Sequence, residues 1–189
     1  MRIATCNVNG IRAAARKGMG EWLATAAPDV LLLQEVRAPE EIAEALIGPG
    51  YQVFTRPCDI KGRAGVSVAV RDGIAVSAVR DGVAKEAVAE PPVDTGRWLE
   101  VDLPGLTVIS AYLHSGDAKS EEKMAAKYAH LELVSDRLQS LAATNVLVAG
   151  DFNIVHTPLD ITNWKSNHNR TSGVLDPEIA YVVRWMGLG

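Results

Sequence analysis

Hydrophobic and polar positions follow two periods along this chain, and the switches between them mark out the elements. Arg2 to Asn7 reads as a short strand running into the turn-forming stretch Asn7-Val8-Asn9-Gly10. Ile11 to Ala26 carries Ile11, Trp22 and Leu23 among the apolar positions of a helix, which Pro28-Asp29 breaks. Val30 to Leu33 is an uninterrupted apolar run, the pattern of a strand buried on both faces. Strand, helix and buried strand within roughly thirty residues make a βαβ unit whose two strands should be parallel.

A second helical stretch spans Glu40 to Leu46, after which the texture changes. Gln52 to Arg56, Val66 to Arg71, Ile74 to Val79, Trp98 to Asp102 and Thr107 to Leu113 are short β-rich runs. Lys61-Gly62-Arg63, Asp72-Gly73, Pro91-Pro92 and Pro104-Gly105 separate them with turn chemistry, which predicts an antiparallel meander. A long charged helix from Ser120 to Ala142 leads to a buried strand, Val146 to Ala149. A loop-like stretch then runs from Gly150 to Asp176, and Pro177 to Met186 closes as a helix. No repeat, linker or low-complexity segment interrupts the chain, so residues 1–189 are read as a single domain.

Composition narrows the class. With 189 residues, 48% hydrophobic and 22% charged, the chain has the balance of a soluble globular protein and enough length to bury a core without disulfides. No apolar run approaches the roughly 18 residues of a membrane span, and no signal segment precedes the first strand, so neither membrane nor secretion is expected. Cys6 and Cys58 have neither metal-ligand spacing nor the density of a disulfide framework, which makes plain thiols in a reducing cytoplasm the expectation. The net charge of −4 gives no nucleic-acid footprint over the whole chain. Arg56, Lys61, Arg63, Arg71 and Arg80 nevertheless face only Asp59, Asp72 and Asp81 nearby, so a local basic patch and an ordinary solvated hairpin both fit.

Candidate chemistry emerges where polar residues meet strand ends. Asn7, Glu35, Tyr112 and Asp151 with Asn153 each fall at or just past the C-terminal end of a predicted strand, where sites form in α/β sheets. Taken singly, Asn7 is a turn former, Glu35 a surface or capping carboxylate and Tyr112 a core aromatic; their coincidence is the signal. Carboxylates emerging from buried strands can hold a hard cation, and Mg²⁺ takes one or two of them, with water and phosphate completing its shell. The spacing Asp151-Phe152-Asn153 puts an acid and an amide on the same side of extended backbone.

These residues form a recognisable succession. Thr5-Cys6-Asn7-Val8-Asn9-Gly10-Ile11-Arg12, Leu33-Gln34-Glu35, Gly65-Val66, Gly96-Arg97, Ser110-Ala111-Tyr112 and Gly150-Asp151-Phe152-Asn153-Ile154 resemble the ordered signatures of the exonuclease III branch of the endonuclease/exonuclease/phosphatase superfamily. His156 to Ile161, Asn163-Trp164-Lys165 and Ser172 to Leu175 resemble its bacterial repair enzymes more than its sphingomyelinases or inositol phosphatases. The resemblance implies a four-layered α/β sandwich of two facing mixed β-sheets flanked by helices. It also implies Mg²⁺, or Mn²⁺ as a substitute, held by Asn7 and Glu35. Tyr112 would approach the scissile phosphate, Asp151 would orient or deprotonate the attacking water, and Asn153 would help hold the phosphate or its catalytic partner.

The implied reaction is metal-assisted phosphodiester hydrolysis of duplex DNA in base-excision repair, as a 3′ to 5′ exonuclease and abasic-site endonuclease. Lys61 and Arg63 match a loop that lies along the DNA backbone in relatives, and Arg97 follows a glycine as in the family. Trp164, Lys165 and Asn167 sit where relatives probe the lesion, although a buried tryptophan anchoring the loop is an equal reading. Double-stranded and abasic-site DNA are thus the implied partners, with no obligate protein partner.

The chain departs from the family in one respect. Relatives carry a further aspartate of the metal site and a Ser-Asp-His signature; no such tripeptide occurs here, and His114, His130, His156 and His168 stand in other contexts. The second half of the sandwich is therefore expected to be incomplete. The chain alone is expected to be poorly soluble or oligomeric and not to cleave abasic DNA above background, which leaves a non-catalytic nucleic-acid or metal-binding remnant as the alternative. A phosphatase of the same superfamily is a third reading, disfavoured by Asn163-Trp164-Lys165.

Overall fold

In the computed structural model, which describes residues 1–83 and 90–188, the strands form two four-stranded sheets. The first has the order β1 (Ile3–Asn7), β2 (Val30–Gln34), β4 (Val66–Arg71), β3 (Tyr51–Arg56). The second has the order β5 (Ala78–Asp81), β6 (Trp98–Leu103), β7 (Leu106–Tyr112), β8 (Val146–Asp151). Both are mixed, because β1 runs parallel to β2 and β8 parallel to β7 while the other pairings are antiparallel. The parallel β1–β2 pair is the one the βαβ reading requires.

The chain divides into two compact units, Met1–Tyr112 with Thr144–Asp151 and Leu113–Ala143 with Phe152–Gly189. The first unit contains both sheets together with α1 (Ile11–Arg16), α2 (Met19–Ala26) and α3 (Glu40–Ile47). Strand alternation divides its apolar residues between two layers. Val30 and Leu32 of β2, Val66, Val68 and Val70 of β4, Leu99, Val101 and Leu103 of β6 and Val108 of β7 pack together as the inter-sheet core. Leu31 and Leu33 point the other way, against Ile11, Leu23, Ala43 and Ile47 of the helices. Each such fully buried side chain contributes roughly 1.5–3 kcal/mol, so β2, buried on both faces, anchors the unit.

Close backbone approach fixes the last strand. A Cβ on Gly150 would overlap the Ala111 carbonyl oxygen, the residue it faces in the β7–β8 ladder. Only glycine lets β8 reach Asp151 in this register, with Asp151 opposite Tyr112.

The second unit is helical, with α4 (Glu121–Leu141), a short 3₁₀ turn (Pro158–Asp160), α5 (Trp164–Asn167) and α6 (Asp176–Met186). Ser120 caps α4 by accepting from the Lys123 amide at 3.3 Å, and Glu121 and Glu122 complement the helix dipole. Met124, Lys127, Leu131 and Val134 form its buried stripe. Lys127 is completely buried and pairs with Glu178 of α6 at 2.6 Å, while its ammonium also reaches the carbonyls of Ser115 and Asn153. Glu178 in turn accepts from the Ser172 hydroxyl and the Gly173 and Leu175 amides.

Four expectations about the elements change. The Ile11–Ala26 helix is two helices, separated at Gly18, whose φ is +97°. The run expected as a strand from Ile74 to Val79 pairs only from Ala78, and its pairing extends to Asp81 because Arg80 grips Asp102 and Glu100 across the ladder. The meander is split between the sheets, since β3 and β4 join the first and β5, β6 and β7 the second. The loop-like stretch after Gly150 carries the 3₁₀ turn and α5.

Candidate active site

The inter-sheet stripes of four strands turn polar at their C-terminal ends. In β1 the inward series is Ile3, Thr5, Asn7; in β2 it is Val30, Leu32, Gln34; in β7 it is Val108, Ser110, Tyr112; in β8 it is Leu147, Ala149, Asp151. Period-two geometry therefore delivers Asn7, Tyr112 and Asp151 to the same end of one core. Beneath them Gln34, 1% exposed, donates to Thr5 Oγ1 at 3.1 Å and to Ser110 Oγ at 3.0 Å, joining the two sheets by a buried polar bridge.

Glu35 follows Gln34 in the left-handed region, with φ of +52°, and Arg37 repeats this with φ of +51°. Such backbone costs about 1–3 kcal/mol per residue and persists only where its surroundings over-determine it. Here they do so from both sides. The Gly10 and Ile11 amides donate to the carbonyls of Glu35 and Val36 at 2.7 and 3.0 Å, and the Val36 and Arg37 amides donate to Gly65 and Ala64 at 2.9 and 3.0 Å. Glycine suits position 65 because its φ is +88°, and a Cβ there would also crowd the Arg37 nitrogen at 3.2 Å.

The side chains meet in one network. Asn7 Nδ2 donates to Glu35 Oε1 at 3.0 Å and to Asp151 Oδ2 at 2.8 Å, so a single neutral amide bridges the two carboxylates. Its Oδ1 accepts from the Asn9 amide at 3.0 Å, which fixes the amide's orientation. Arg37 pairs with Glu35 Oε2, and the Tyr112 hydroxyl donates to the same carboxylate. Partial burial pushes the Glu35 carboxyl up, but the hydrogen bonds from Asn7 and Tyr112 and the Arg37 guanidinium outweigh it and hold the group below its ordinary value. Burial and the neighbouring Glu35 carboxylate push the Tyr112 phenol up, keeping it a proton donor at neutral pH.

The sign of the Glu35 shift gives a measurable consequence. A carboxyl held low in the folded state stabilises it above the ordinary carboxylate range and loses that contribution as pH falls through the lowered value. Melting temperatures of the wild type and Glu35→Gln, followed in a chelator from about pH 7 to about pH 3, should therefore differ most near neutrality and converge in acid. A gap that widens on acidification would contradict the network.

The other candidates have the following placements. Asn153 belongs to the second unit, has φ of +50°, and donates from Nδ2 to the Leu113 carbonyl at 2.9 Å. Lys61 and Arg63 are exposed in the turn after β3. Arg97 lies beside Tyr112, its guanidinium carbon 5.1 Å from the ring centroid. Trp164 is half-buried and stacked on His168 at 4.4 Å, while Lys165 is exposed. Asn167 donates from Nδ2 to the Asn163 carbonyl and accepts from the Thr171 hydroxyl within its own loop. Sequence reasoning missed Arg37 as a partner of Glu35 and Gln34 as the bridge beneath it. The signal for Gln34 was a polar residue closing an inward stripe.

The donor set fits a hard cation. Glu35 and Asp151 offer carboxylate oxygens and carry two negative charges against one guanidinium, while Asn7 faces them with its Nδ2 and would add its Oδ1 only by turning the amide off Asn9. Among the described residues no three or more His, Cys, Asp or Glu side chains gather as a metal cage. Among those residues, too, no helix is long and apolar enough to cross a membrane.

Comparisons with known proteins agree with this fold. The model of the endonuclease/exonuclease/phosphatase family matches residues 4–188. A DNA-(apurinic or apyrimidinic site) endonuclease of Dictyostelium discoideum is 23% identical over 191 residues, covering 96% of this chain and 49% of its own length. The structure of an AP endonuclease from Archaeoglobus fulgidus superposes with a TM-score of 0.82 at 26% identity, covering 100% of this chain and 71% of that one. A 3′ phosphatase, NExo, from Neisseria, bound to a product DNA hairpin, shares the fold with a TM-score of 0.83 at 21% identity, covering 100% of this chain and 71% of that one. The chain thus spans about half the length of the Dictyostelium relative.

Proposed function

The chain belongs to the endonuclease/exonuclease/phosphatase family, and from that premise we propose that it carries the cation- and phosphate-handling end of a metal-dependent phosphodiester hydrolase acting on duplex DNA in base-excision repair. The observation that carries the reading is the Asn7 amide joining Glu35 and Asp151 at the mouth of the inter-sheet core. The abasic-site activity for which the Dictyostelium relative is named and the DNA hairpin held by the Neisseria neighbour support duplex DNA, abasic sites included, as the partner.

Glu35 would hold Mg²⁺, for which Mn²⁺ would substitute, and Asn7 would join it by turning its side-chain oxygen from the Asn9 amide toward the ion. Bound there, the ion supplies charge compensation to the phosphate and the leaving oxygen. Asp151 accepts a hydrogen bond from Asn7, which aims one of its oxygens and leaves the carboxylate able to orient a water and take its proton. Tyr112, kept protonated by burial and by Glu35, rests its hydroxyl on the Glu35 carboxylate and would turn that donor to a phosphate oxygen when substrate binds. Asn153 would help hold the phosphate, and Lys61 and Arg63, exposed and cationic, would follow the DNA backbone without reading sequence. Trp164, Lys165 and Asn167 would meet the lesion. No histidine is assigned to proton transfer, so turnover by this chain alone is expected to stay near background while binding is retained.

Fluorescence anisotropy with a duplex containing an abasic-site analogue tests this. The expected result is affinity that rises with Mg²⁺, falls steeply with salt, and loses its metal dependence in Glu35→Gln. Replacing Lys61 and Arg63 together by glutamine should flatten the salt dependence by about 0.9 per lost phosphate contact. Binding indifferent to the divalent cation favours the second reading, a non-catalytic remnant. Cleavage above background that disappears in Asp151→Asn would show a more complete catalytic set.

A further inference from the structure

Arg97 precedes β6, and its carbonyl accepts from the Tyr112 amide at 2.8 Å, so the two residues are locked side by side at the strand ends. The guanidinium is turned onto its neighbour. Nε donates to the Val93 carbonyl at 2.8 Å, Nη1 donates to the Tyr112 carbonyl at 3.5 Å, and the plane lies over the Tyr112 ring at 5.1 Å. A guanidinium held this way has spent two directions of its fork on carbonyls and one face on an aromatic ring. That leaves it poorly placed to pair with a DNA phosphate, the role its sequence position suggested.

We propose that Arg97 is a positioning residue acting through Tyr112: it clamps the phenol ring and its backbone so that the hydroxyl stays on Glu35, at the edge of the carboxylate pair. This rests on the reading of Tyr112 as the group that meets the phosphate, and deepens it. The physical basis is the cation over the ring face combined with a planar fork whose limbs hold the Val93 and Tyr112 carbonyls, restraints that lysine cannot reproduce together. Gly96 accommodates the bend that brings Arg97 there. Its φ is +69°, and a Cβ would come within 2.6 Å of the Cys58 nitrogen.

The test uses the 189-residue chain labelled with 3-fluorotyrosine, which gives four fluorine resonances, for Tyr51, Tyr112, Tyr128 and Tyr181. Loss of one line in Tyr112→Phe assigns it. In Arg97→Gln the Tyr112 line should shift and broaden while the other three hold their positions, which also shows that the fold is intact. Arg97→Lys should fail to restore it. In the same variants the salt dependence of duplex binding should keep its wild-type slope, because no phosphate contact has been removed. An unmoved Tyr112 line in Arg97→Gln, its full restoration by lysine, or a slope reduced by about 0.9, the value for one lost phosphate contact, would each overturn the proposal. Failure of the wild type to bind duplex would sink the functional reading alone, and the fluorine lines would still decide the role of Arg97.

Discussion

Replacing Lys127 by methionine, with Glu178 left in place, is expected to destabilise the second unit by about 3–5 kcal/mol, the cost of stranding one charge of a buried pair. At about 2–4 °C per kcal/mol for a chain of this size, the melting temperature should fall by roughly 6–20 °C. The reason is burial. Neither side chain reaches solvent, and their 2.6 Å contact lets each charge compensate the other. The Ser172, Gly173 and Leu175 donors that remain on Glu178 supply hydrogen bonds but no positive charge. Lys127→Met combined with Glu178→Gln should recover part of the loss, since no uncompensated charge remains. Trp164 and Trp185 lie in this unit and Trp22 and Trp98 in the first, so the fluorescence of a Trp22→Phe, Trp98→Phe background reports its unfolding. A fall below about 1 kcal/mol for Lys127→Met would mean that the pair is not a structural hub.

Changing Asn7 to aspartate should make the stability of the first unit depend on divalent cation. The amide donates to both carboxylates, at 3.0 and 2.8 Å; an aspartate would turn both bonds into like-charge contacts. Discounted for the exposure of Asn7, the loss should be about 1–3 kcal/mol in a chelator, or roughly 2–12 °C. Mg²⁺ should reverse it, because three carboxylates bind the ion more tightly than two and a ligand of the folded state stabilises in proportion to its saturation; at about one hundred times its dissociation constant the gain is about 2.7 kcal/mol. Equal melting of Asn7→Asp in Mg²⁺ and in chelator would argue against a cation at this position.

The parts of the fold and site that the sequence disclosed are those that depend on short-range pattern. Val30 to Gln34 shows a buried strand because three leucines in succession serve both faces, and the polar residues closing the inward stripes mark Asn7, Tyr112 and Asp151 as neighbours. What was hidden depends on partners far along the chain. Arg80 extends β5 only because Asp102 and Glu100 stand opposite, so the alternation of Ala78 to Asp81 does not look like a strand by itself. Membership of one sheet or the other cannot be read from turns, which is why the meander seemed continuous. Gly18 and Gly20 could have signalled the break between α1 and α2, but the apolar spacing across them is helical. Lys127 sits in the apolar stripe of α4 between Met124 and Leu131, a visible anomaly whose answer, Glu178, lies 51 residues on.

Glu35, positioned by a clamped left-handed backbone and joined to Asp151 through Asn7, is the divalent-cation ligand on which the proposed function turns. Calorimetric titration of Mg²⁺, with Mn²⁺ as the stronger probe, into the wild-type chain and into Glu35→Gln measures it directly. Weak saturable binding to the wild type should disappear in Glu35→Gln while the fold persists. Binding of equal strength in both proteins, or none in the wild type, would contradict it.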